Sequence, residues 1–388
     1  MKSIILLSFL LSIFFVKHSV AQVDIAYPNT NFPDPEFVSA PYNMVTWQER
    51  DGSNLWVAEI NPNTGMFSNY QIIDTNIVPM SLVMNGPEWT YNSNEIQIIY
   101  NAWHDTFPVS KIARAWQDSL GNWQTEKLQN INYQYKARAG SPGSMDSHGT
   151  YPLKAVYVAI LNNGSYVPMW RELDNPSSET ILPNDLIFSS IDVGIARWVE
   201  NRELLISVKP DLNNISQTYL YDIRDPNNSE QLTFSASTKG DSYMWKSVNP
   251  TYNGRYMFFT TVEHDGVAWC GLNVYLRNQN GNWNLLNQIY PPYPSNYPYL
   301  ISPEVFKING NSYITFVRSS HPGPDDNSNS TIWVAPVNPN LGASFRVSHN
   351  HPMNRKEPEP YVGNNSAWIY YLEGVQNASI LHKCSTGL

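Results

Sequence analysis

The chain has 388 residues, of which 42% are hydrophobic and only 15% are charged, with a formal net charge of −9. This length is enough to bury one large core or two ordinary ones. The negative charge argues against nucleic acid and anionic membrane surfaces as partners. The abundant Asn, Ser, Tyr and Pro residues favour strands and polar turns over helices.

The first 22 residues, MKSIILLSFLLSIFFVKHSVAQ, predict a secretory signal peptide. Lys2 precedes an apolar run, and the segment finishes with small residues, as cleavable export signals do. The run is short for a membrane span, and no later run is long enough for one. We therefore expect a secreted, periplasmic or cell-surface monomer without a membrane span, whose residues 23–388 form one domain.

A short motif, Pro-Glu followed by a large apolar or ring-bearing residue, recurs along the rest of the chain. It appears as DPEF at 34–37, GPEW at 86–89, SPEVF at 302–306 and EPEPY at 357–361. Each copy precedes short runs of Val, Ile, Tyr and Trp, which are separated by turns rich in Gly, Asn and Asp. Such runs are typical of antiparallel hairpins.

Three less regular copies begin near residues 141, 194 and 246, so that seven units follow one another along the chain. Four short strands in a unit of about fifty residues are typical of a β-propeller blade. The sequence therefore predicts an all-β, seven-bladed β-propeller with about four antiparallel strands per blade. Because unit seven ends after three strands, we expect residues 23–29 to add the fourth and close the ring.

The repeats resemble those of TolB-type propellers, a family also described as PD40 or WD40-like. The stretches that carry the resemblance are GPEWTYNSNEIQIIY, NPTYNGRYMFF and TIWVAPVNPNLG. The resemblance covers most of residues 23–388 and implies the propeller fold, but it implies no catalytic residues. A further stretch, SPEVFKINGNSYITF, resembles the inner strands of five-bladed glycosidases of the arabinanase–xylosidase type.

The inner strands of a propeller line its axial channel, so equivalent residues of the units are expected to converge there. At the Glu of the motif, the seven units carry Glu36, Glu88, Gly143, Arg197, Lys246, Glu304 and Glu359. In a structural interpretation, each Glu accepts backbone N–H bonds from the neighbouring blade and fastens the two together. In a functional interpretation, crowded carboxylates and cations shift one another's pKa and form a ligand or acid–base site.

Departures from the repeat single out blades three to five. Gly143 carries no side chain, and the segment after it brings Asp146 and His148 to a loop near the channel mouth. Arg197 and Lys246 replace Glu in the next two blades. Since packing alone would restore the repeated residue, such local departures indicate a candidate site.

We expect the axial pocket to bind or process an extracellular carbohydrate, as a glycoside hydrolase or a polysaccharide lyase if it is an enzyme. We expect the ligand to be a carbohydrate or a small molecule; the sequence leaves the cofactor unknown and assigns no metal ligand. The predicted catalytic residues are Glu88, Glu304, His148 and Arg197. The predicted substrate-binding residues are Lys246, Asp146, Glu36, Glu359 and Trp245.

Two other functions stay open. One is a non-catalytic, TolB-like module that binds a protein or a glycan. The other is a pocket enzyme that acts on a small apolar substrate. A filled channel favours the module, a dry aromatic pocket favours the small substrate, and a charged open groove favours the carbohydrate.

Overall fold

The computed structural model describes residues 23–24, 32–82, 86–91, 95–103, 110–128, 152–160, 166–182, 196–199, 204–252, 254–264, 267–291, 296–322, 329–349, 353–374 and 379–388. The predicted signal peptide lies outside the described residues. The described strands form seven antiparallel sheets, which are the blades of a propeller. Six sheets have four strands, and the sheet of blade three has three described strands. The predicted all-β, seven-bladed fold is confirmed, and the five-bladed arrangement of the glycosidases is not the one found.

Strands β2 to β16 build the first four blades, each taken from the channel outwards. They are Glu36–Val38, Met44–Gln48, Leu55–Ile60 and Phe67–Asp74 in blade one; Glu88–Tyr91, Ile96–Trp103, Ser110–Gln117 and Trp123–Lys127 in blade two; Lys154–Ile160, Tyr166–Glu172 and Asn175–Ile181 in blade three; and Arg197–Trp198, Leu204–Pro210, Ser216–Asp222 and Asp225–Gln231 in blade four.

Strands β17 to β27 build the other three blades. They are Lys239–Lys246, Tyr256–His264, Val267–Arg277 and Trp283–Ile289 in blade five; Tyr299–Ile308, Asn311–Ser319, Ser330–Pro336 and Phe345–Arg346 in blade six; and Arg355–Val362, Ala367–Glu373 and Ile380–Ser385 in blade seven. Short 3-10 helices lie at Met80–Leu82, Pro250–Tyr252 and Pro339–Leu341. In the described part of the chain, no helix has the length and apolar character needed to cross a membrane.

The fourth strand of the blade-seven sheet is β1, Val23–Asp24. Val23 lies opposite Lys383, and Asp24 lies opposite His382, in an antiparallel pair with β27. Residues from the start of the described chain thus cover the outer edge of the last sheet, which would otherwise present unpaired backbone groups.

The hydrophobic core lies between the blades. The second strand of each blade is a nearly continuous apolar run because both of its faces pack against neighbouring blades. Ile314 and Phe316 of blade six, for example, share one buried cluster with Trp245 and Phe259 of blade five. The indole Nε1 of Trp245 donates a hydrogen bond to Oγ of Ser312 at 3.1 Å, which joins the same two blades.

Candidate axial site

The Glu of the repeated motif occupies equivalent positions in four blades. Glu36, Glu88, Glu304 and Glu359 each pair with the middle of the second strand of their own sheet. Arg197 takes the corresponding position in blade four. All five side chains line one cavity on the propeller axis. The predicted convergence of these residues is therefore present in the structure.

The backbone is irregular where the motif enters the channel. The register shifts between Ile301 and Glu304 in blade six and between Lys356 and Glu359 in blade seven. The residue two positions before the Glu has a positive φ in three blades, at Asp34, Ser302 and Glu357. Bulges re-aim side chains, and left-handed backbone at a residue other than glycine costs about 1–3 kcal/mol. Such strain is typical of functional sites.

The first of two adjoining axial cavities has a volume of about 240 Å³ and is rich in carboxylates. Seven of its described lining residues are acidic and one is basic. The lining residues are Asp34, Glu36, Glu88, Arg197, Asp241, Ser302, Pro303, Glu304, Glu357 and Glu359.

The second cavity has a volume of about 430 Å³ and continues along the inner strands past the Glu positions. Its aromatic walls come from Phe37, Trp89, Tyr91, Tyr243 and Phe306. The four Glu residues of the motif line both cavities. They therefore lie at the boundary between a carboxylate-lined compartment and an aromatic one.

Blade-to-blade fastening falls mainly to other residues of the motif. Oδ2 of Asp34 accepts a hydrogen bond from the backbone N–H of Gly86 at 2.6 Å, which links blades one and two. Oε2 of Glu357 accepts one from the backbone N–H of Asp34 at 3.0 Å, which links blades seven and one. The indole of Trp89 donates to the backbone oxygen of Glu36 at 3.0 Å. The residue two positions before the repeated Glu, together with a tryptophan, therefore connects neighbouring blades.

Three of the repeated carboxylates are left for another role. Among the described residues, the side chains of Glu36, Glu88 and Glu359 have no hydrogen-bond partner. Burial raises the pKa of each well above its usual value, and neighbouring carboxylates raise the pKa of Glu36 and Glu359 further. For Glu88, the nearby Arg197 opposes the shift.

The pKa of Asp34 rises to about 7, because burial and the charge of Glu357 outweigh the N–H bond from Gly86. Asp34 and Glu357 thus fasten the blades while adding to the crowding of negative charge in the channel.

Arg197 stays charged within this acidic cavity. Its Nη1 lies 3.2 Å from Oε1 of Glu304. Burial disfavours the guanidinium, but Glu304, Asp241 and Glu88 outweigh that effect and raise the pKa of Arg197. Burial also raises the pKa of Glu304, while the ion pair opposes the rise. Glu304 is therefore the repeated Glu whose ionised form has a hydrogen-bonded cation beside it in the described part of the chain.

The placement of Lys246 in the ring of channel residues was wrong. Lys246 is exposed at the far end of its strand, opposite Tyr256. The residue at the Glu position of blade five is Ser242, opposite Thr260. The first hairpin of this blade is longer than those of the other blades whose first hairpin is described, and it includes the 3-10 helix Pro250–Tyr252. An alignment on the apolar residues therefore assigned the Glu position to Lys246, four residues after Ser242.

The other predicted site residues have different outcomes. Trp245 is fully buried between blades five and six and does not line either axial cavity. Asp146 and His148 lie outside the described residues. Sequence reasoning missed Asp34, Asp241 and Glu357. Asp34 and Glu357 could have been found from the sequence, because each lies two positions before a repeated Glu. Residues two positions apart in a regular strand lie on the same face.

No family model matches the sequence, and no curated protein matches it. Among solved structures, the chain is similar to a prolyl endopeptidase, with 10% identity and a TM-score of 0.51 over 91% of this chain and 50% of that chain. It is similar to puromycin hydrolase, with 10% identity and a TM-score of 0.50 over 92% of this chain and 52% of that chain. TolB from Acinetobacter baumannii gives 11% identity and a TM-score of 0.40 over 88% of this chain and 78% of that chain.

This chain spans about half the length of the prolyl endopeptidase and puromycin hydrolase structures. At this level of identity, the similarity shows the β-propeller fold alone.

Proposed function

We propose that the axial channel binds and hydrolyses an extracellular carbohydrate. The observation that carries the proposal is the position of the four Glu residues between a carboxylate-lined cavity and an aromatic one. A sugar presents hydroxyl groups that donate to carboxylates, and apolar ring faces that stack on aromatic side chains. The signal peptide predicted in residues 1–22 supports a site outside the cytoplasm.

Two carboxylates of the channel differ in a way that suits acid–base catalysis. Glu304 is paired with Arg197, so it is the candidate base or nucleophile. Glu88 is buried, and burial favours its protonated form, so it is the candidate acid. Glycosidases need one carboxyl group in each of these forms. Arg197 has the role of favouring the charged state of Glu304 against the effect of burial.

The charge of the cavity favours a hydrolase over the lyase that the sequence left open. A lyase acting on uronates needs cations to neutralise the substrate carboxylate. In the described lining, seven acidic residues surround the single cation Arg197, and Lys246 lies elsewhere. A uronate would meet repulsion in this channel, whereas a neutral or positively charged sugar would not.

The two remaining interpretations are supported less well. A module whose channel is filled by side chains does not agree with two open axial cavities. An enzyme for a small apolar substrate agrees with the aromatic cavity, but it gives no role to the carboxylates at its boundary.

The experiment is to incubate the protein without residues 1–22 with a panel of neutral, amino and uronic polysaccharides. Release of reducing ends measures hydrolysis, and the absorbance of unsaturated uronates measures elimination. We expect hydrolysis of a neutral or amino polymer, with a loss of at least about a hundredfold in Glu88→Gln and Glu304→Gln.

The control is Glu230→Gln, which alters an exposed Glu on an outer strand of blade four. It should retain full activity. Elimination products would contradict the hydrolase, and the absence of both hydrolysis and binding across the panel would overturn the proposal.

A further inference from the structure

Most carboxylates of the axial channel are not neutralised by Arg197. The guanidinium is hydrogen-bonded to Glu304 and acts electrostatically on Asp241 and Glu88 as well. Asp34, Glu36 and Glu359 also line this cavity, and Arg197 offsets the charge of Asp34 and Glu359 only in part. Burial and mutual repulsion raise the pKa of these three carboxyls, so a positively charged group of a ligand beside them would relieve the repulsion and favour their ionised forms.

The spacing of these three carboxylates is suited to one ammonium group. One oxygen from each of Asp34, Glu36 and Glu359 lies within 4.8 Å of the other two. An ammonium nitrogen directs three N–H bonds tetrahedrally, and each reaches an acceptor at about 2.8 Å. Three acceptors around such a nitrogen are therefore about 4.6 Å apart, which lies within the 4.8 Å limit on the separations of these oxygens.

Glu88 provides an independent indication that the cavity receives a hydrogen-bonding ligand. Its exposed fraction is only 7%, it lines the same cavity, and its carboxyl has no hydrogen-bond partner among the described residues. Buried polar side chains are nearly always hydrogen-bonded. A ligand that hydrogen-bonds to the Glu88 carboxyl would satisfy this group.

The adjoining cavity indicates what the rest of the ligand looks like. Trp89, Tyr91 and Tyr243 form part of its wall, and Glu36 lines both cavities. A ligand that extends from one cavity into the other therefore places a flat, partly apolar body against aromatic rings and a donor-rich end among carboxylates. Sugar rings have such faces.

We propose that the channel selects carbohydrates that carry a primary ammonium group, with Asp34, Glu36 and Glu359 accepting its three N–H bonds. This inference rests on the proposed function, because it names the substrate class of the same site. A calcium ion also prefers carboxylate oxygens, so metal binding is one outcome that the test must separate.

The test is calorimetric titration of the protein with three trisaccharides, built from glucosamine, from N-acetylglucosamine and from glucose. We expect the glucosamine trisaccharide to bind about tenfold more tightly than the other two, because it alone carries ammonium groups. The double variant Glu36→Gln, Glu359→Gln should remove this preference, so that the glucosamine and glucose trisaccharides bind to it with equal affinity. Glu230→Gln should change neither.

Equal affinity for the three trisaccharides would overturn the inference and leave the proposed carbohydrate function intact. If none of them binds and the polysaccharide panel also gives no signal, the proposed function itself fails, and the inference fails with it.

Cadaverine, which has ammonium groups but no sugar, should bind weakly; affinity equal to that of the glucosamine trisaccharide would overturn the substrate class. Titration with calcium chloride alone should give no binding heat that is lost in the double variant. Stoichiometric binding of calcium would show instead that the three carboxylates form a metal site.

Discussion

Arg197 and Glu304 form an ion pair across the axial channel, with Nη1 of the arginine 3.2 Å from Oε1 of the glutamate. Arg197 lies on the inner strand of blade four and Glu304 on that of blade six, so the pair connects blades that are not neighbours. Their side chains are 27% and 25% exposed, respectively. The pair links distant parts of the ring, and its arginine opposes the rise that burial causes in the pKa of Glu304.

Replacing Arg197 by Met should lower the free energy of unfolding by about 1–2 kcal/mol. A fully buried pair costs about 3–5 kcal/mol when one partner is removed, and the partial exposure of this pair reduces that figure. Glu304→Gln should cost less, because Arg197 keeps the nearby charges of Asp241 and Glu88. Urea denaturation at neutral pH measures both changes.

The double variant Arg197→Met, Glu304→Gln provides the control for this ion pair. We expect it to be more stable than the sum of the two single changes predicts, since neither group is then left without its partner. Strict additivity would show that the two side chains do not interact in solution.

The variant Glu88→Gln should gain stability relative to the wild type as the pH rises from about 5 to about 8. Burial raises the pKa of Glu88 well above its usual value of 4.5, so the folded protein holds this proton more tightly than the unfolded chain does. The stability contributed by the protonated form is complete below 4.5 and is lost as the pH rises through the raised pKa. Gln cannot ionise and therefore avoids that loss.

Thermal unfolding of both proteins across this pH range, in buffer with a chelator, checks the prediction for Glu88. The difference in melting temperature between variant and wild type should grow with pH. A difference that is constant with pH, or that changes in the opposite direction, would mean that Glu88 is ionised without penalty. Glu230→Gln, at an exposed position, should show no such trend.

Asp34 offers a separate test of how blade one is fastened to blade two. Asp34→Ala leaves the backbone N–H of Gly86 without its acceptor and should cost about 1–2 kcal/mol of unfolding free energy. Asp34→Asn keeps an oxygen at the same place and should cost less than half as much. Equal losses in the two variants, measured by urea denaturation, would show that charge rather than the hydrogen bond matters at this position.

The corrected alignment of blade five predicts that Asp241 affects ligand binding in the channel and that Lys246 does not. Asp241 lines the carboxylate-rich cavity, whereas Lys246 is exposed at the end of the same strand. Asp241→Asn should therefore change the affinity for a channel ligand by about threefold or more, because a charge near the ligand is removed. Lys246→Gln should leave that affinity unchanged. A clear effect of Lys246→Gln on calorimetric binding would restore its predicted role.

The architecture was predictable because propeller blades repeat. The Pro-Glu motifs at 34–37, 86–89, 302–306 and 357–361 recur at a nearly constant spacing, and each marks an inner strand. Their Glu residues were placed correctly because the same strand position faces the axis in every blade.

The site was predictable only where the motif is intact. In blade five, the motif GDS at 240–242 has neither Pro nor Glu, and the longer hairpin hides its alignment with the other units. The roles of Asp34 and Glu357 depend on contacts between blades that are distant in sequence, such as the bond from Asp34 to Glu357. Composition and spacing within one unit carry no information about such contacts. Trp245 was misjudged for the same reason, since its partner Ser312 belongs to the next blade.

The most direct test of a carbohydrate site in the axial channel is a crystal structure of the Glu304→Gln protein with bound glucosamine trisaccharide. We predict sugar density in the channel, with a ring against Trp89 or Tyr243 and an amino group between Asp34, Glu36 and Glu359. Sugar density only on the outer faces of the blades, with the channel free of it, would contradict a carbohydrate site on the axis.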